Sequence, residues 1–293
     1  MLSKWGVLFL VGIVILNGCS QVQTQKKELE KSNTVELSNQ KLPQIDHIVI
    51  VVEENHSKQN IQGNQSAPYM NSLMNQGANL TNYFAIEHPS QPNYLDLFSG
   101  SNQNVTNDSV PKLKFSTANL ASELMKKNYS FSGYSEDLPS IGFDGASTGT
   151  SGYARKHNPW VNFTNVPMES NQPLENFPTD FNQLPTVSFV IPNLQHDMHD
   201  GTIKEADEWL KEHVDAYVQW AKKHNSLLIV TWDEDDFSQN NQIPTFIVGA
   251  PVKNGQFQEK LNHFNLLRTI EDIYGLTHAG NSKMAKPITD IWR

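Results

Sequence analysis

The segment "HIVIVVEEN" at residues 47–55 decides the fold class, because an unbroken apolar run leads directly into two acids. Consecutive apolar residues, with no alternating polar ones, are typical of a parallel strand that helices cover on both faces. Three further segments have this character: "TVSFVIPN" at 186–193, "SLLIVTWDED" at 226–235 and "PTFIVGAPV" at 244–252. We therefore predict four strands that are buried on both faces.

Helical segments lie between the predicted strands and after the last one. They are found at residues 67–77, 117–128, 202–225 and 262–276. Gly77 is a plausible C-terminal cap, and Thr117 is a candidate N-terminal cap. Polar stretches at 99–117 and 157–185 are expected to be long surface loops. The alternation of strands with helices predicts an α/β fold with an open, mostly parallel sheet flanked by helices.

Composition and charge limit the classes of function. The chain has 293 residues and is 38% hydrophobic, which suits one large α/β domain or two smaller ones. With 31 acidic and 22 basic side chains its net charge is -9, which argues against nonspecific binding to nucleic acid. An anionic substrate would therefore be attracted by a local feature, such as a metal ion, rather than by the overall field.

The first residues have the features of a bacterial export signal. Lys4 precedes an apolar run at 5–16 that is shorter than the roughly 20 residues a helix needs to cross a bilayer. The residues that follow, Leu16-Asn17-Gly18-Cys19, resemble the bacterial lipobox, in which the cysteine receives a lipid. An ordinary cleaved signal with a spare cysteine is the alternative. Because Cys19 is the only cysteine, we expect no disulfide within the chain.

These features predict three parts: a signal peptide at 1–18, a lipid-anchored flexible tether at 19–42 and a folded domain at 43–293. The tether is polar, with few apolar positions. We expect the protein to be exported and held by its lipid at the outer face of the bacterial cell membrane, or else secreted. The sequence does not indicate an oligomeric state.

Chemically active residues follow three of the predicted strands. Glu54 and Asn55 follow the first strand, "LQHDMHD" at 194–200 follows the second, and the acids at 233–236 follow the third. Ligands of open α/β sheets bind beyond the carboxyl ends of the strands. We therefore expect these residues to contribute to a single site.

The acids are expected to divide into two groups. Carboxylates crowd together where water solvates them or where a cation neutralises them. Asp233 and Glu234 lie nearest the buried strand, and with Glu54 and Asn55 they offer the oxygen donors that a divalent cation prefers. The next two acids, at 235–236, are expected to form a solvated turn.

Ser90 is held between Pro89 and Pro92 in "EHPSQPNYLDLFSG", residues 87–100. The prolines restrict the backbone around the serine. A serine at a rigid turn before a helix lies near backbone amides that bind anions. A Pro-rich turn with a capping serine is the alternative, and spacing alone favours it.

Polar clusters elsewhere carry weaker signals. Two histidines and two aspartates fall within five positions: His196, Asp197, His199 and Asp200. Such spacing is typical of ligands or proton donors, although a polar surface loop is an equally supported alternative. "RKH" at 155–157 offers contacts to a phosphate, and "YSED" at 134–137 offers the wall of a pocket. His263 begins the last helix, where a lone histidine is more often a cap than a ligand.

The order of these motifs along the chain is more specific than any one of them. They are "VVEENHS", "HPSQPNY", "YSEDLP", "RKHNPW", "PNLQHDMHDG", "TWDEDD" and "NHFNLLRTIEDIYGL". The set resembles the bacterial phosphoesterase family that includes secreted acid phosphatases and phospholipases C, within the alkaline phosphatase superfamily. The resemblance covers about residues 43 to 280 and implies an alkaline phosphatase-like fold.

The resemblance implies a role for each matching residue. Ser90, followed by Pro92 and Asn93, matches the nucleophile. The implied metal ligands are Glu54, Asn55, Ser90, Asp233 and Glu234. His199 or His263 is expected to donate a proton to the leaving group. We assign substrate binding to Asn93, His196, Asp197 and His157.

Three departures from the superfamily pattern affect the expected metal. Glu54 stands where many relatives have aspartate, Glu234 where many have histidine, and Asn193 where two-zinc enzymes have an aspartate. The glutamate at 234 removes a nitrogen ligand, and the asparagine at 193 removes a charge. A single harder cation, Mg²⁺, Mn²⁺ or Ca²⁺, is therefore expected instead of a two-zinc centre.

The expected function is that of an exported, metal-dependent acid phosphatase. The cation would activate the Ser90 hydroxyl, which would attack phosphate monoesters and form a phosphoserine intermediate. Phosphoinositides are candidate substrates only through the family resemblance. One alternative is a phospholipase C that uses the same site on phosphodiester headgroups. The alternative from another class is a solute-binding lipoprotein without catalysis.

Overall fold

A computed structural model describes residues 1–2, 42–150 and 152–293. The predicted lipidation residue Cys19 lies outside the described residues, as do the signal and the tether apart from their end residues. Residues Leu42–Arg293 form a compact unit. None of the described helices is both long enough and apolar enough to cross a membrane.

The centre of the structure is an eight-stranded sheet with the order β5-β4-β6-β1-β7-β8-β2-β9. Its strands are β1 (His47–Glu53), β2 (Ala78–Leu80), β4 (Phe131–Ser135), β5 (Asn171–Pro173), β6 (Val187–Ile191), β7 (Ser226–Trp232), β8 (Thr245–Val248) and β9 (Gly255–Phe257). A separate parallel pair is formed by β3 (Tyr83–Phe84) and β10 (Leu261–Asn262). Strand β1 runs parallel to both β6 and β7, so three predicted strands lie side by side in the middle.

One predicted strand has the opposite direction to the others. Strand β8 pairs antiparallel with both β7 and β2, which corrects the expectation that all four strands are parallel. Only residues 233–244 join β7 to β8, without a crossover helix, and a short connection suits an antiparallel neighbour. The predicted α/β class with a mostly parallel sheet is confirmed.

Four of the described helices follow the predicted positions closely, and two more, at 58–61 and 90–99, lie outside those positions. The six are α1 (Lys58–Ile61), α2 (Pro68–Gln76), α3 (Ser90–Ser99), α4 (Leu120–Lys126), α5 (Ile203–Ala221) and α6 (His263–Tyr274). Capping boxes begin α4 at Asn119, α5 at Thr202 and α6 at Asn262. The cap of α4 is therefore Asn119 and not Thr117, whose hydroxyl donates to Gln103 instead.

Residues 157–185 are not a plain surface loop, contrary to expectation. They contain β5 and several turns of 3-10 helix, and they bury Trp160 and Phe163. Both rings contact Phe98 of α3, so this segment covers one side of that helix. As a result, every residue of α3 is buried, and its first residue, Ser90, is held between packed layers.

Helix α6 fixes the end of the chain through a buried acid. Glu271 is fully buried and accepts hydrogen bonds from Ala279 N at 2.7 Å and Ser282 Oγ at 2.5 Å. Burial raises the pKa of Glu271 from 4.5 to about 7, although these hydrogen bonds act in the opposite direction. The folded state therefore favours the protonated carboxyl.

We predict that Glu271→Gln makes the protein less sensitive to pH. Because the pKa is raised on folding, the stability that Glu271 contributes is complete below pH 4.5 and is lost as the pH rises through 7. Between these limits, the free energy of unfolding of the variant should rise relative to wild type by roughly 2–3 kcal/mol. Urea denaturation on both sides of this window measures the change. The exposed Glu169→Gln is the control, and equal behaviour of the two variants would contradict the prediction.

Candidate active site

Three neighbouring strand ends are joined by backbone hydrogen bonds at the carboxyl edge of the sheet. Glu54 N, after β1, donates to the Asp197 carbonyl oxygen, after β6, at 2.9 Å. Asp233 N, after β7, donates to the Glu53 carbonyl oxygen at 3.0 Å. Asn55 adopts a left-handed conformation (φ 51°), and its N–H donates to Asp233 Oδ1 at 3.2 Å. The acids that follow these strands are therefore brought together, as the sequence suggested.

Ser90 is the first residue of α3, and Pro89 is its N-cap. The serine is 1% exposed, and its Oγ donates a hydrogen bond to Glu234 Oε1 at 3.3 Å. A hydroxyl is thus fixed beside the acids at the end of β7. The arrangement differs from a capping serine, because the Ser90 side chain bonds to a carboxylate of another element.

Asn93 fixes the loop that leads into α3. Its Oδ1 accepts from Ile86 N and Glu87 N, both at 3.0 Å. Its Nδ2 donates to the carbonyl oxygens of Glu87 at 2.6 Å and Pro89 at 3.2 Å. All its side-chain hydrogen-bonding capacity is used on the backbone. These contacts give Asn93 a positioning role for Ser90, whereas the sequence had suggested substrate binding.

Two of the amide positions at the start of α3 are not available to an anion. Gln91 N donates to Asp108 Oδ1 at 2.9 Å, and Pro92 has no N–H to offer. The negative charge of a phosphate must therefore be balanced mainly by side chains or a cation. The backbone anion site that the position of Ser90 before a helix suggested therefore lacks two of its possible donors.

His157 is the central cation of the site. It is buried, its Nε2 contacts Glu54 Oε1, and its Nδ1 lies 3.2 Å from Asp197 Oδ2. Tyr94 of α3 stacks on the imidazole with 4.8 Å between ring centroids. Burial by itself would lower the pKa of His157, but Glu54 and Asp197 raise it to about 9. Burial by itself would raise the pKa of Glu54. The positive charges of His157 and Lys156 outweigh this effect and hold the pKa of Glu54 well below its usual range.

The remaining carboxylates repel each other. Burial first, and then the charges of Glu54 and Glu234, raise the pKa of Asp233 well above its usual range. Burial and Glu54 raise the pKa of Glu234 to about 8. Asp233 Oδ2 is buried and accepts no hydrogen bond. Such a group is costly unless a positive charge approaches it, so the edge has the chemistry of a cation site.

The donors fit a hard cation by type. Carboxylate, amide and hydroxyl oxygens are the ligands that Mg²⁺, Mn²⁺ and Ca²⁺ prefer, and the candidate set contains no nitrogen or sulfur ligand. Its members are Glu54, Asn55, Ser90, Asp233 and Glu234. Within residues 42–150 and 152–293, no three or more His, Cys, Asp or Glu side chains are already arranged to hold a metal ion.

Asp235 is buried, which corrects its assignment to a solvated turn. Its two carboxylate oxygens accept from the backbone N–H groups of Phe237 at 2.8 Å, Gln239 at 2.7 Å and Asn241 at 3.0 Å. It therefore organises the loop between β7 and β8. The next acid, Asp236, is exposed as expected.

The predicted histidines occupy three different environments. His199 is partly exposed, with Nε2 4.0 Å from Glu54 Oε2. His196 instead pairs with Glu136 at 3.0 Å, after β4. His263 is fully buried, with Nε2 3.3 Å from the Asp233 carbonyl oxygen and Nδ1 3.2 Å from Tyr83 OH. Burial lowers the pKa of His263 to about 4, so it is poorly placed as a protonated acid.

Sequence reasoning gave no role to His88 and Tyr94, and it suggested Lys156 only as a weak phosphate contact within 155–157. His88 Nδ1 lies 2.6 Å from Glu234 Oε2, and Lys156 Nζ lies 3.9 Å from Glu54 Oε1. Tyr94 supports His157, as described above. His88 stands two positions before Ser90, and Lys156 adjoins His157, so closeness to stronger candidates was the available signal.

Comparison with known proteins identifies the family to which the chain belongs. The model of the Phosphoesterase family matches residues 63–277. A phosphatidylinositol-3-phosphatase from Mycobacterium tuberculosis is 52% identical over 260 residues, covering 88% of this chain and 86% of the relative. A phosphate-repressible acid phosphatase from Penicillium chrysogenum is 32% identical over 231 residues, covering 72% of this chain. The match covers 55% of that fungal enzyme, so the chain spans about half its length.

Solved structures show the same fold at low sequence identity. A Vibrio parahaemolyticus protein of the alkaline phosphatase superfamily superposes with a TM-score of 0.59 at 14% identity, covering 84% of this chain and 71% of that one. A phosphonate monoester hydrolase from Silicibacter pomeroyi gives 0.57 at 11% identity, covering 83% and 76%. The predicted family and fold are confirmed: the chain belongs to the Phosphoesterase family, and it is a phosphoric ester hydrolase with an alkaline phosphatase-like fold.

Proposed function

We propose that the chain is an exported, metal-dependent phosphatase that hydrolyses phosphate monoesters through a phosphoserine at Ser90. One observation carries this proposal: the buried Ser90 Oγ lies 3.3 Å from Glu234 Oε1, beside the strand ends that bear Glu54 and Asp233. Export and lipid anchoring at Cys19 rest on the lipobox-like sequence at 16–19. The substrate is proposed to be a phosphoinositide, which the name of the 52% identical relative supports.

Ser90 is the nucleophile in this mechanism. Glu234 Oε1 already accepts the hydrogen bond of the Ser90 hydroxyl, so it is placed to take the proton as Oγ attacks phosphorus. The new bond joins Oγ to phosphorus, and the bond from phosphorus to the leaving alkoxide breaks. Water then attacks the phosphoserine and releases phosphate and the free hydroxyl.

His199 is the proposed acid for the leaving group. Its side chain is partly exposed and lies near Glu54, so it faces both the acid cluster and solvent, where a leaving alcohol departs. His263 was the other candidate, and its burial beneath Asp233 argues against it. His199 Nε2 would donate a proton to the alkoxide as the phosphorus–oxygen bond breaks.

Charge balance at the phosphoryl group is shared among side chains. Lys156 and His157 place positive charge beside Glu54, and Lys156 remains partly accessible. A divalent cation held by Glu54, Asn55, Asp233 and Glu234 would favour ionisation of Ser90 and offset the charge of the transferring group. The unpaired Asp233 Oδ2 supports this assignment of a cation site.

The function is tested with phosphate monoesters and diesters. We predict hydrolysis of p-nitrophenyl phosphate and of short-chain phosphatidylinositol 3-phosphate, with bis-p-nitrophenyl phosphate cleaved far more slowly. Ser90→Ala should lower kcat by on the order of 10³-fold or more, because the nucleophile is lost. Ser99→Ala is a matched control, since Ser99 is equally buried at the other end of α3. Faster diester cleavage would favour a phospholipase C, and ligand binding without turnover would favour a binding protein.

Metal dependence is tested by binding and by stability. Asp233→Asn should weaken binding of Mn²⁺ by at least about tenfold in calorimetry, because a charged ligand is lost. Without metal, the same variant should be more resistant to urea than wild type, because it relieves repulsion with Glu54 and Glu234. The exposed Asp236→Asn is the control. Full activity after exhaustive chelation would contradict the metal proposal.

The acid role of His199 is tested by changing the leaving group. An alkoxide needs a proton as it departs, whereas p-nitrophenolate does not. His199→Gln should therefore lower kcat/KM for glycerol phosphate by about 10²-fold and for p-nitrophenyl phosphate by less than about tenfold. His213→Gln, at an exposed histidine stacked on Trp209, is the control. Equal losses on both substrates would remove the acid role.

A further inference from the structure

A group of exposed apolar side chains lies on three adjoining surface segments. Its members are Val110 (40% exposed), Leu113 (80%), Ile141 (53%) and Met168 (55%), and together they are called the apolar rim. The segments adjoin because Lys114 Nζ lies 3.4 Å from Asp144 Oδ2, and Gly142 faces Met168 closely. Large apolar side chains clustered in water carry a cost, so such a group on an enzyme surface calls for a partner.

The segment that carries Val110 and Leu113 is tied to the residue after the nucleophile. Gln91 Nε2 donates to the carbonyl oxygens of Asn107 and Ser109, both at 2.8 Å. The Gln91 N–H and the Lys156 ammonium both bind Asp108, at 2.9 and 3.4 Å. The start of this segment therefore lies directly beside Ser90, and its exposed tip begins one residue after Ser109.

The tip combines apolar and basic residues in the order Val110-Pro111-Lys112-Leu113-Lys114. Two lysines flank its most exposed apolar side chain, although the whole chain has a net charge of -9. Lysine can lay its aliphatic stem on an apolar surface while its ammonium reaches a phosphate headgroup. Leucine between lysines thus complements the interface of an anionic bilayer better than it complements water.

We propose that the apolar rim docks on the surface of the lipid bilayer that contains the substrate. The inference rests on the proposed function, since it adds that the phosphoinositide is taken directly from a membrane. A phosphoinositide phosphate lies at the level of the headgroups, so the catalytic edge must come close to the bilayer to reach it. The part of the rim that carries Val110 and Leu113 follows directly on the residues that bind Gln91 and Lys156, so a membrane contact there would bring the catalytic edge close to the bilayer.

Leu113→Asp tests the docking surface kinetically in the full-length protein. With phosphatidylinositol 3-phosphate in phosphatidylcholine vesicles, we expect the rate to fall by about tenfold, because a charge replaces the inserting side chain. The rates with p-nitrophenyl phosphate and short-chain phosphatidylinositol 3-phosphate should stay within about twofold of wild type, because Leu113 contacts none of the catalytic groups described above. Met284→Asp is the matched control, because Met284 is 81% exposed and belongs to the 3-10 helix Gly280–Met284, which contacts Gly100 after the far end of α3.

A fluorescent probe reports contact with lipid without relying on turnover. The full chain with Cys19→Ser has no other cysteine, so Leu113→Cys introduces a single thiol for an environment-sensitive dye. Vesicles of phosphatidylcholine with phosphatidylinositol 3-phosphate should shift the dye emission to the blue at position 113. The same dye at Met284→Cys should remain unchanged.

The outcomes separate this inference from the proposed function. If short-chain phosphatidylinositol 3-phosphate is not hydrolysed, the proposed substrate fails, whereas the dye still reports whether the rim meets lipid. If the short-chain lipid is hydrolysed but Leu113→Asp leaves the vesicle rate and the dye emission unchanged, the docking surface is refuted. A dimer that Leu113→Asp dissociates would assign the rim to a second copy of the chain and would also overturn the proposal.

Discussion

The buried contact of His157 with Glu54 and Asp197 is the interaction on which the catalytic edge depends. Parallel strands deliver their acids to one edge, and the low dielectric of the interior strengthens the repulsion between those acids. His157 places a positive charge between two strand ends and satisfies one carboxylate on each. Its own position comes from a short 3-10 helix at Arg155–His157, outside the sheet, and from the ring of Tyr94. Sheet, helix and covering segment must therefore all be packed before the site exists.

Ser90, the proposed nucleophile, is also held by elements outside the central sheet. Helix α3 is buried along its full length, so Ser90 has little freedom to move away from Glu234. Asn93 fixes the loop before the helix, and Gln91 fixes the segment after it. Residues that bond to the backbone around α3 thus set the position of the hydroxyl, and in the proposed mechanism a well-fixed nucleophile lowers the entropic part of the barrier.

The parts of the fold that sequence could predict are those with a local cause. Continuous apolar runs located β1, β6, β7 and β8, and the helical segments predicted between and after them located α5 and α6. The direction of β8 was missed because apolar content reports burial and does not report pairing. Strand β4, "FSGYS", was missed because its apolar pattern is broken; a Cβ at Gly133 would lie 2.1 Å from the Trp160 ring, so the glycine is needed for packing.

The sequence predicted which strand ends form the site. It did not predict which charged groups pair with each other there. Glu54 and Asp233 each follow a buried strand, and this position correctly predicted that they lie at the same edge of the sheet. The same reasoning placed Asp235 in solvent, because the backbone N–H groups that fold around it come from residues up to 241. His157 was expected to meet a phosphate, but its partners follow strands that are distant in sequence. Contacts of this kind arise from the tertiary structure, and single-sequence patterns do not contain them.

The Gln91 N–H at the start of α3 is bound by Asp108, and Pro92 has no N–H. This arrangement affects how proteins with this site can diverge. Enzymes that stabilise charge with backbone amides keep that machinery through almost any substitution, because every residue has a main chain. In the proposed mechanism the compensating charge comes mainly from side chains, so a single replacement can abolish chemistry while the sheet and α3 stay intact. Descendants of such a scaffold are therefore well suited to becoming folded proteins that bind phosphate esters and no longer cleave them.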